Sequence, residues 1–211
     1  MWEKSIIASI FIASILTACV SDDDEEEKWN ATEVCPESKR GTFTDERDGQ
    51  EYKYTTIGNQ VWMAENLRYN AENVICLSEY KDVDFHKHDE FCKNYGAYYP
   101  TNRDSTNLRG VDESFLKDLC PKGWKIPSKD EWSELVDILE NEKQKSDECG
   151  MSIRYAGAYL GDAYGIMYFN FDAIFMTSSL EDDGLLISIR VEDDFAFFNH
   201  FPKMSIRCLK D

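Results

Sequence analysis

The chain has 211 residues, with 23 Lys and Arg against 41 Asp and Glu and a formal net charge of −18. No stretch holds more than two adjacent Lys or Arg, so the basic patch that a nucleic-acid backbone requires is missing and nucleic acid is not an expected partner. A hydrophobic content of 42% with only five Pro and eleven Gly suits one packed domain and excludes a disordered or collagen-like chain.

Ser5–Leu16 is an apolar run too short to span a bilayer but suited to the h-region of a secretory signal. It ends in Leu16-Thr17-Ala18-Cys19, which resembles the bacterial lipobox. The resemblance implies cleavage after residue 18 and lipidation, including palmitate, at Cys19; the competing expectation is an ordinary secretory signal with an incidental Cys. Several acyl chains would anchor the protein stably without a transmembrane segment. Asp22 to Glu27 are six consecutive acids, a run that repels itself and stays extended. We therefore read residues 19–40 as lipidated Cys and acidic tether. Its extended part, Val20–Asn30, could hold the domain about 36 Å from the membrane at about 3.3 Å per residue. The acidic cluster after the Cys resembles surface-export signals of Bacteroidetes-type lipoproteins. The expected location is the outer membrane, at the cell surface, with the periplasmic face as the alternative.

Six cysteines remain: Cys35, Cys76, Cys92, Cys120, Cys149 and Cys208. An even number in an exported chain argues for disulfides, and six allow about fifteen pairings. No Cys-x-x-Cys or Cys-x-x-His spacing supports zinc. We expect Cys76–Cys92 as a local loop and Cys120–Cys208 as a long closure, contributing about 3 and about 4–5 kcal/mol in the chain-entropy model. Cys35–Cys149 follows by elimination.

Asp48-Gly49 marks a turn, after which Glu51–Ile57 alternates as a strand. Gly58-Asn59 suits a two-residue hairpin turn, with Gln60–Met63 as the returning strand. Arg68–Asn94 is polar and reads as irregular, with Cys76 and Cys92 as loop staples. Within it Phe85–Glu90 (FHKHDE) could offer His86 and His88 to a metal, but reads as a solvated loop. Gly96–Tyr99 reads as a short strand and Asp112–Leu119 as a short helix ended by Pro121. Ser128 and Glu131 form a capping box. Trp132, Leu135, Val136 and Leu139 then fall on one face of a helix running to about Asn141. Trp62, Trp124 and Trp132 read as core. The remaining expected strands are Ile153–Leu160, Met167–Ala173, Phe175–Ser178, Leu185–Val191, Phe195–Phe201 and Met204–Leu209.

Four segments carry a family resemblance: Gly41–Leu67 with its IGNQVWMAENL end, YGAYY at Tyr95–Tyr99, CPKGWKIPSKDEW at Cys120–Trp132, and Phe175–Ser179 with the closing SIRCLKD at Ser205–Asp211. Together they resemble the Fibrobacter succinogenes major paralogous domain, a functionally uncharacterised family of secreted proteins and lipoproteins, over residues 41–211. The Trp-x-x-Pro-Ser-x-x-Glu-Trp helix and the closing Arg-Cys are similar to those of the C-type-lectin and sulfatase-modifying superfamily. That resemblance implies an α+β, C-type-lectin-like mixed fold, with one or two helices, an N-terminal hairpin and a C-terminal antiparallel β region. It also implies two ends pinned by a long-range disulfide, in agreement with Cys120–Cys208. The chain departs from the family where Asn141–Ala156 is short and where Leu185–Arg190 lacks a Trp.

The Glu-Pro-Asn-like loop and Trp-Asn-Asp strand of calcium-dependent lectins do not occur. The acidic clusters Glu181–Asp183 and Glu192–Asp194 lack EF-hand spacing and read as strand-connecting turns. No Gly-x-Ser-x-Gly or His-Glu-x-x-His string occurs, and we expect no enzyme activity, catalytic residue, metal or cofactor. The expected function is a non-catalytic binding module for glycan or plant-wall polymer. Tyr159, Tyr164, Tyr168 and Phe198 are the candidate stacking residues. The alternative is a structural or protein-interaction lipoprotein of the cell envelope without a sugar site.

Overall fold

The computed structural model describes residues 30–71, 74–76, 88–102, 111–139, 147–161, 164–181, 186–191, 195–199 and 201–211. In chain order its elements are α1 (Ala31–Val34), β1 (Gly41–Thr44), β2 (Glu51–Ile57), β3 (Gln60–Met63), α2 (His88–Tyr95), β4 (Tyr99–Pro100), α3 (Glu113–Lys117), β5 (Trp124–Lys125) and α4 (Lys129–Ile138). Then follow β6 (Ala158–Tyr159), β7 (Ile166–Met167), β8 (Ala173–Leu180), β9 (Leu186–Val191), β10 (Phe195–Asn199), β11 (Lys203–Met204) and β12 (Leu209–Lys210). The fold is mixed α+β, with antiparallel sheets and few, short helices.

The hairpin forms as its residues dictate. Gly58 takes φ +57 at the first turn position, and Ile57 pairs with Gln60. The strands assemble in the order β1-β2-β3-β12-β5. Alternation along this sheet feeds two cores. Tyr52 and Met63 join Trp124, Ile126 and Met204 in one, while Ile57, Trp62 and Leu209 join Trp132, Leu135 and Phe175 in the other. β8 is buried on both faces: Ile174 and Met176 enter the first core, Ala173 and Phe175 the second. That is why Ala173–Thr177 is an unbroken buried run.

Two further sheets complete the body, β10-β9-β8 and β4-β11-β6-β7. Residues 203–210 connect all three. β11 pairs with β4 and β6, Ser205 bridges to Phe175 of β8, and β12 lies between β3 and β5. The expected single strand Met204–Leu209 is therefore two short strands in different sheets, with Ile206–Cys208 as the crossover.

Three disulfides brace this arrangement: Cys35–Cys149, Cys76–Cys92 and Cys120–Cys208, with Cα separations of 5.3, 5.6 and 6.0 Å. Cys35 is buried in the second core, and the Gly58 N–H donates to the Val34 carbonyl at 2.8 Å. Residues 31–40 thus pack against the folded body. The remaining leader and tether positions, Cys19 among them, lie outside the described residues.

The helices differ from expectation in number and place. Four α-helices occur among the described residues, two more than expected. α4 carries its capping box, ends at Ile138 with Leu139 as cap, and buries Trp132, Leu135 and Val136. α3 sits where expected, capped by the Asp112 side chain on the Phe115 N–H at 3.0 Å. α2 falls inside the stretch read as irregular. The bridge at Cys92 and the Asn66 side chain, which donates to the Tyr95 carbonyl at 2.8 Å, hold it in place.

Two carboxyls set local order. Asp45 is buried and paired with Arg47, which also donates to the Asp118 carbonyl. Burial alone would raise the Asp45 carboxyl, but the Arg47 side chain and backbone N–H outweigh it and hold it below its ordinary range. Glu131 behaves alike: burial is overcome by hydrogen bonds from Lys125 and from the Ser128 N–H. Both native values lie below the unfolded ones. Their stabilisation is therefore complete above the unfolded range near about 4, and is lost as pH falls through the native values. Resistance to urea should accordingly fall below about pH 4 and be insensitive to these groups at about pH 6–8. Replacing Cys120 and Cys208 together by Ser should cost about 4–5 kcal/mol in the same assay, from the long loop that the bridge closes.

Candidate functional site

The strings that carry the family resemblance turn inward. On β3, Gln60 and Trp62 share a face, and the Trp62 Nε1–H donates to the Gln60 Oε1 at 2.9 Å. Gln60 in turn donates to the Glu131 carbonyl and to Glu134, tying the hairpin to α4. Trp62, Trp132 and Phe175 form an aromatic column, with centroids 4.6 and 5.3 Å apart in succession. Trp124 stacks on Phe43 at 4.4 Å. All three expected core tryptophans are buried.

Arg207 is the unusual member. Its side chain is fully buried and faces no carboxylate within ion-pair distance among the described residues. Instead the guanidinium donates to the Asn66 Oδ1 and to the carbonyls of Met63, Met151 and Ser152. Burial pushes its pKa down to about 9, with Glu65 opposing and Arg154 assisting, so it is charged at neutral pH. These contacts tie residues 63–66, 151–152 and 207 together, so this centre is a structural clamp.

Among the described residues, most exposed large hydrophobic side chains lie between β6 and β8. The chain leaves β6, turns at Gly161–Gly165, forms β7 and turns again through Tyr168–Asp172. Tyr168 and Asn170 adopt φ +62 and +63, a left-handed conformation that non-glycine residues rarely take. The turn is locked from below. The Asn170 N–H donates to the Tyr155 carbonyl at 2.9 Å, and the Gly157 N–H to the Asp172 carbonyl at 2.8 Å. A Cβ at Gly157 would lie 2.1 Å from the Met167 carbonyl oxygen, so only glycine allows this approach. Asp172 is buried and pairs with Arg190 at 2.8 Å. Phe169 points inward against Tyr95 and Phe91. The other side chains emerge: Tyr164 is 73% exposed, Phe171 75%, Tyr168 42% and Met167 38%.

The expected strand Met167–Ala173 is thus broken by left-handed residues: its ends pair, Met167 in β7 and Ala173 in β8, and the residues between them form a turn that presents Tyr168 and Phe171. Ile153–Leu160 likewise keeps only Ala158–Tyr159 as strand, with one further bridge from Gly157 to Ala173.

Of the four stacking candidates, Tyr164 and Tyr168 lie together on this excursion. Tyr159 is corrected: it is 3% exposed, packed beside Tyr98 and Ala156 in a small core of its own. Phe198 falls on β10, but its side chain lies outside the described residues. Phe171 and Met167 were missed. The aromatic density of Tyr168–Phe171 beside Gly161 and Gly165 was the available signal, and it read equally well as strand.

The His86 and His88 side chains, Asp182–Asp183 and Glu192–Asp194 lie outside the described residues. Among the described residues no cluster of three or more His, Cys, Asp or Glu is placed to hold a metal ion. Nor is any helix among them long and apolar enough to cross a membrane.

These features define a small disulfide-braced α+β domain whose signature residues build its core. The model of the Fibrobacter succinogenes major domain matches residues 55–183, and the chain belongs to that family. No curated protein and no solved structure matches it. The closing SIRCLKD lies beyond the matched residues but completes the same sheet.

If the signature is structural, its substitution should act on stability. Asn66→Ala or Arg207→Met should each cost about 3 kcal/mol or more, because buried carbonyls or a buried charge lose their partners. Tyr164→Ala should change stability by less than about 0.5 kcal/mol. Urea denaturation of the three variants checks this ordering.

Proposed function

We propose that this chain is a non-catalytic binding module of a lipid-anchored, surface-exposed envelope lipoprotein, and that the 161–172 excursion is its glycan-contacting face. The observation that carries the reading is the set of three solvent-facing aromatics, Tyr164, Tyr168 and Phe171, on one locked excursion. Exposed aromatic rings offer flat apolar faces to the C–H faces of sugar rings, and pre-ordering the backbone removes entropy that binding would otherwise cost. The left-handed Tyr168 and Asn170 are strained residues held by their surroundings, as at ligand-contacting sites. The C-type-lectin-like kinship suggested by the sequence fits a closing segment bridged back to the chain through Cys120–Cys208. The lipobox at Leu16–Cys19 and the acidic run behind it support the anchor and the surface location.

The binding arm is tested on insoluble cellulose and a glycan array. The chain should bind, and Tyr164→Ala with Phe171→Ala should weaken binding by about ten-fold or more at unchanged thermal stability. Clean absence of binding, with and without Ca²⁺, would favour the structural or protein-interaction lipoprotein instead. The anchor is tested by metabolic palmitate labelling, which Cys19→Ser should abolish. Protease shaving of intact cells should remove the protein, and its survival would place it on the periplasmic face.

A further inference from the structure

The chain is strongly acidic, yet among the described residues the charged side chains that line two adjoining clefts are mostly basic. A cleft of about 630 Å³ lies beside the Cys76–Cys92 bridge, with Val74, Ile75 and Ala97 as its apolar wall and Arg68 and Lys93 as its charges. A smaller cleft of about 190 Å³ adjoins it through Lys93 and adds Lys53 and Arg154. Across both, the described lining residues supply four cations and one carboxylate, Glu65. In the whole chain acids outnumber bases 41 to 23.

Glu65 is already committed. It accepts from the Lys53 backbone N–H at 2.7 Å and lies 3.7 Å from the Arg68 guanidinium. Arg68 is held in place over the Tyr52 ring at 4.2 Å and donates to the Glu51 carbonyl. Behind the smaller cleft sits Arg207, whose buried charge is met by Asn66 and by carbonyls, among them that of Ser152. Asn66 and Ser152 both line that cleft. An ion buried in a low-dielectric wall projects its field further than a solvated one. Three of the four lining cations, Lys53, Lys93 and Arg154, are exposed side chains able to reach a ligand.

We infer that these adjoining clefts bind an acidic sugar, a uronic acid unit whose carboxylate meets Lys53, Lys93 and Arg154. The larger cleft falls within the size range of small-molecule sites. Asn70 offers its amide to hydroxyl groups, Gln50 offers its Oε1 while its Nε2 donates to Asp48 and to the Arg68 carbonyl, and the apolar wall faces the ring. A bare anion would use the charges but not the amides or the wall. The site shares no residue with the aromatic excursion and does not depend on the lipid anchor.

Isothermal titration of the full chain with trigalacturonate, cellotriose and inorganic phosphate, at about 50 mM and about 0.5 M NaCl, tests the inference. Trigalacturonate should bind at least about ten-fold tighter than either comparison ligand at low salt, and weaken at high salt. Lys53→Gln, Lys93→Gln and Arg154→Gln combined should lower that affinity about ten-fold or more at unchanged thermal stability. Tyr164→Ala with Phe171→Ala should leave it unchanged. Equal binding of cellotriose or phosphate, or full affinity in the triple variant, would overturn the site.

Discussion

A buried guanidinium holds this domain together. Arg207 brings positive charge into the interior and meets it with five hydrogen bonds to an amide and three backbone carbonyls. Those acceptors come from the end of the hairpin strand, from the segment after it, and from the stretch following Cys149. The fork geometry of the side chain is what lets one residue satisfy them together, which a lysine could not do. Because burying a charge is costly unless all its donors are satisfied, the clamp tolerates little displacement of the chains around it. Its neighbours carry the same crossover: the Leu67 N–H donates to the Ile206 carbonyl, the Met63 N–H to that of Cys208, and Cys208 is bridged to Cys120.

The signature strings of the family thereby acquire physical meaning. Gln60 orients Trp62 and grips α4, Asn66 receives Arg207 while supporting α2, and Ser128 caps the helix that carries Trp132. Each of these groups has its polar atoms bonded within the scaffold. The residues that face outward, on the 161–172 excursion and around the clefts beside α2, project from backbone that the core holds in place. Such a division lets one scaffold present different surfaces while its interior stays the same.

What could be read from the sequence was what depends on near neighbours. The Gly58-Asn59 turn, the Ser128–Glu131 box and the apolar face of Trp132, Leu135 and Val136 are set within a few residues. α2 was not legible, since its polar composition resembles a loop and what holds it, Cys92 and Asn66, acts from a distance. Nor was the break at Tyr168–Phe171, because an aromatic run favours strand until Gly157 closes beneath it. The two outward aromatics Tyr164 and Tyr168 were recognisable as aromatics, but exposure is a tertiary property, and Tyr159 in the same stretch went inside. The basic clefts were invisible for the same reason: Lys53, Lys93 and Arg154 are far apart in a chain that is acidic on average.

Residues 203–210 link three sheets whose other strands precede them in synthesis. Until this segment has left the ribosome, β3 and β5 have no common neighbour and β4 has no partner strand. The chain therefore cannot complete its native state progressively from its N-terminal side. Its three sheets are joined only once the closing stretch is in place, so a few late residues commit separate parts of the fold together.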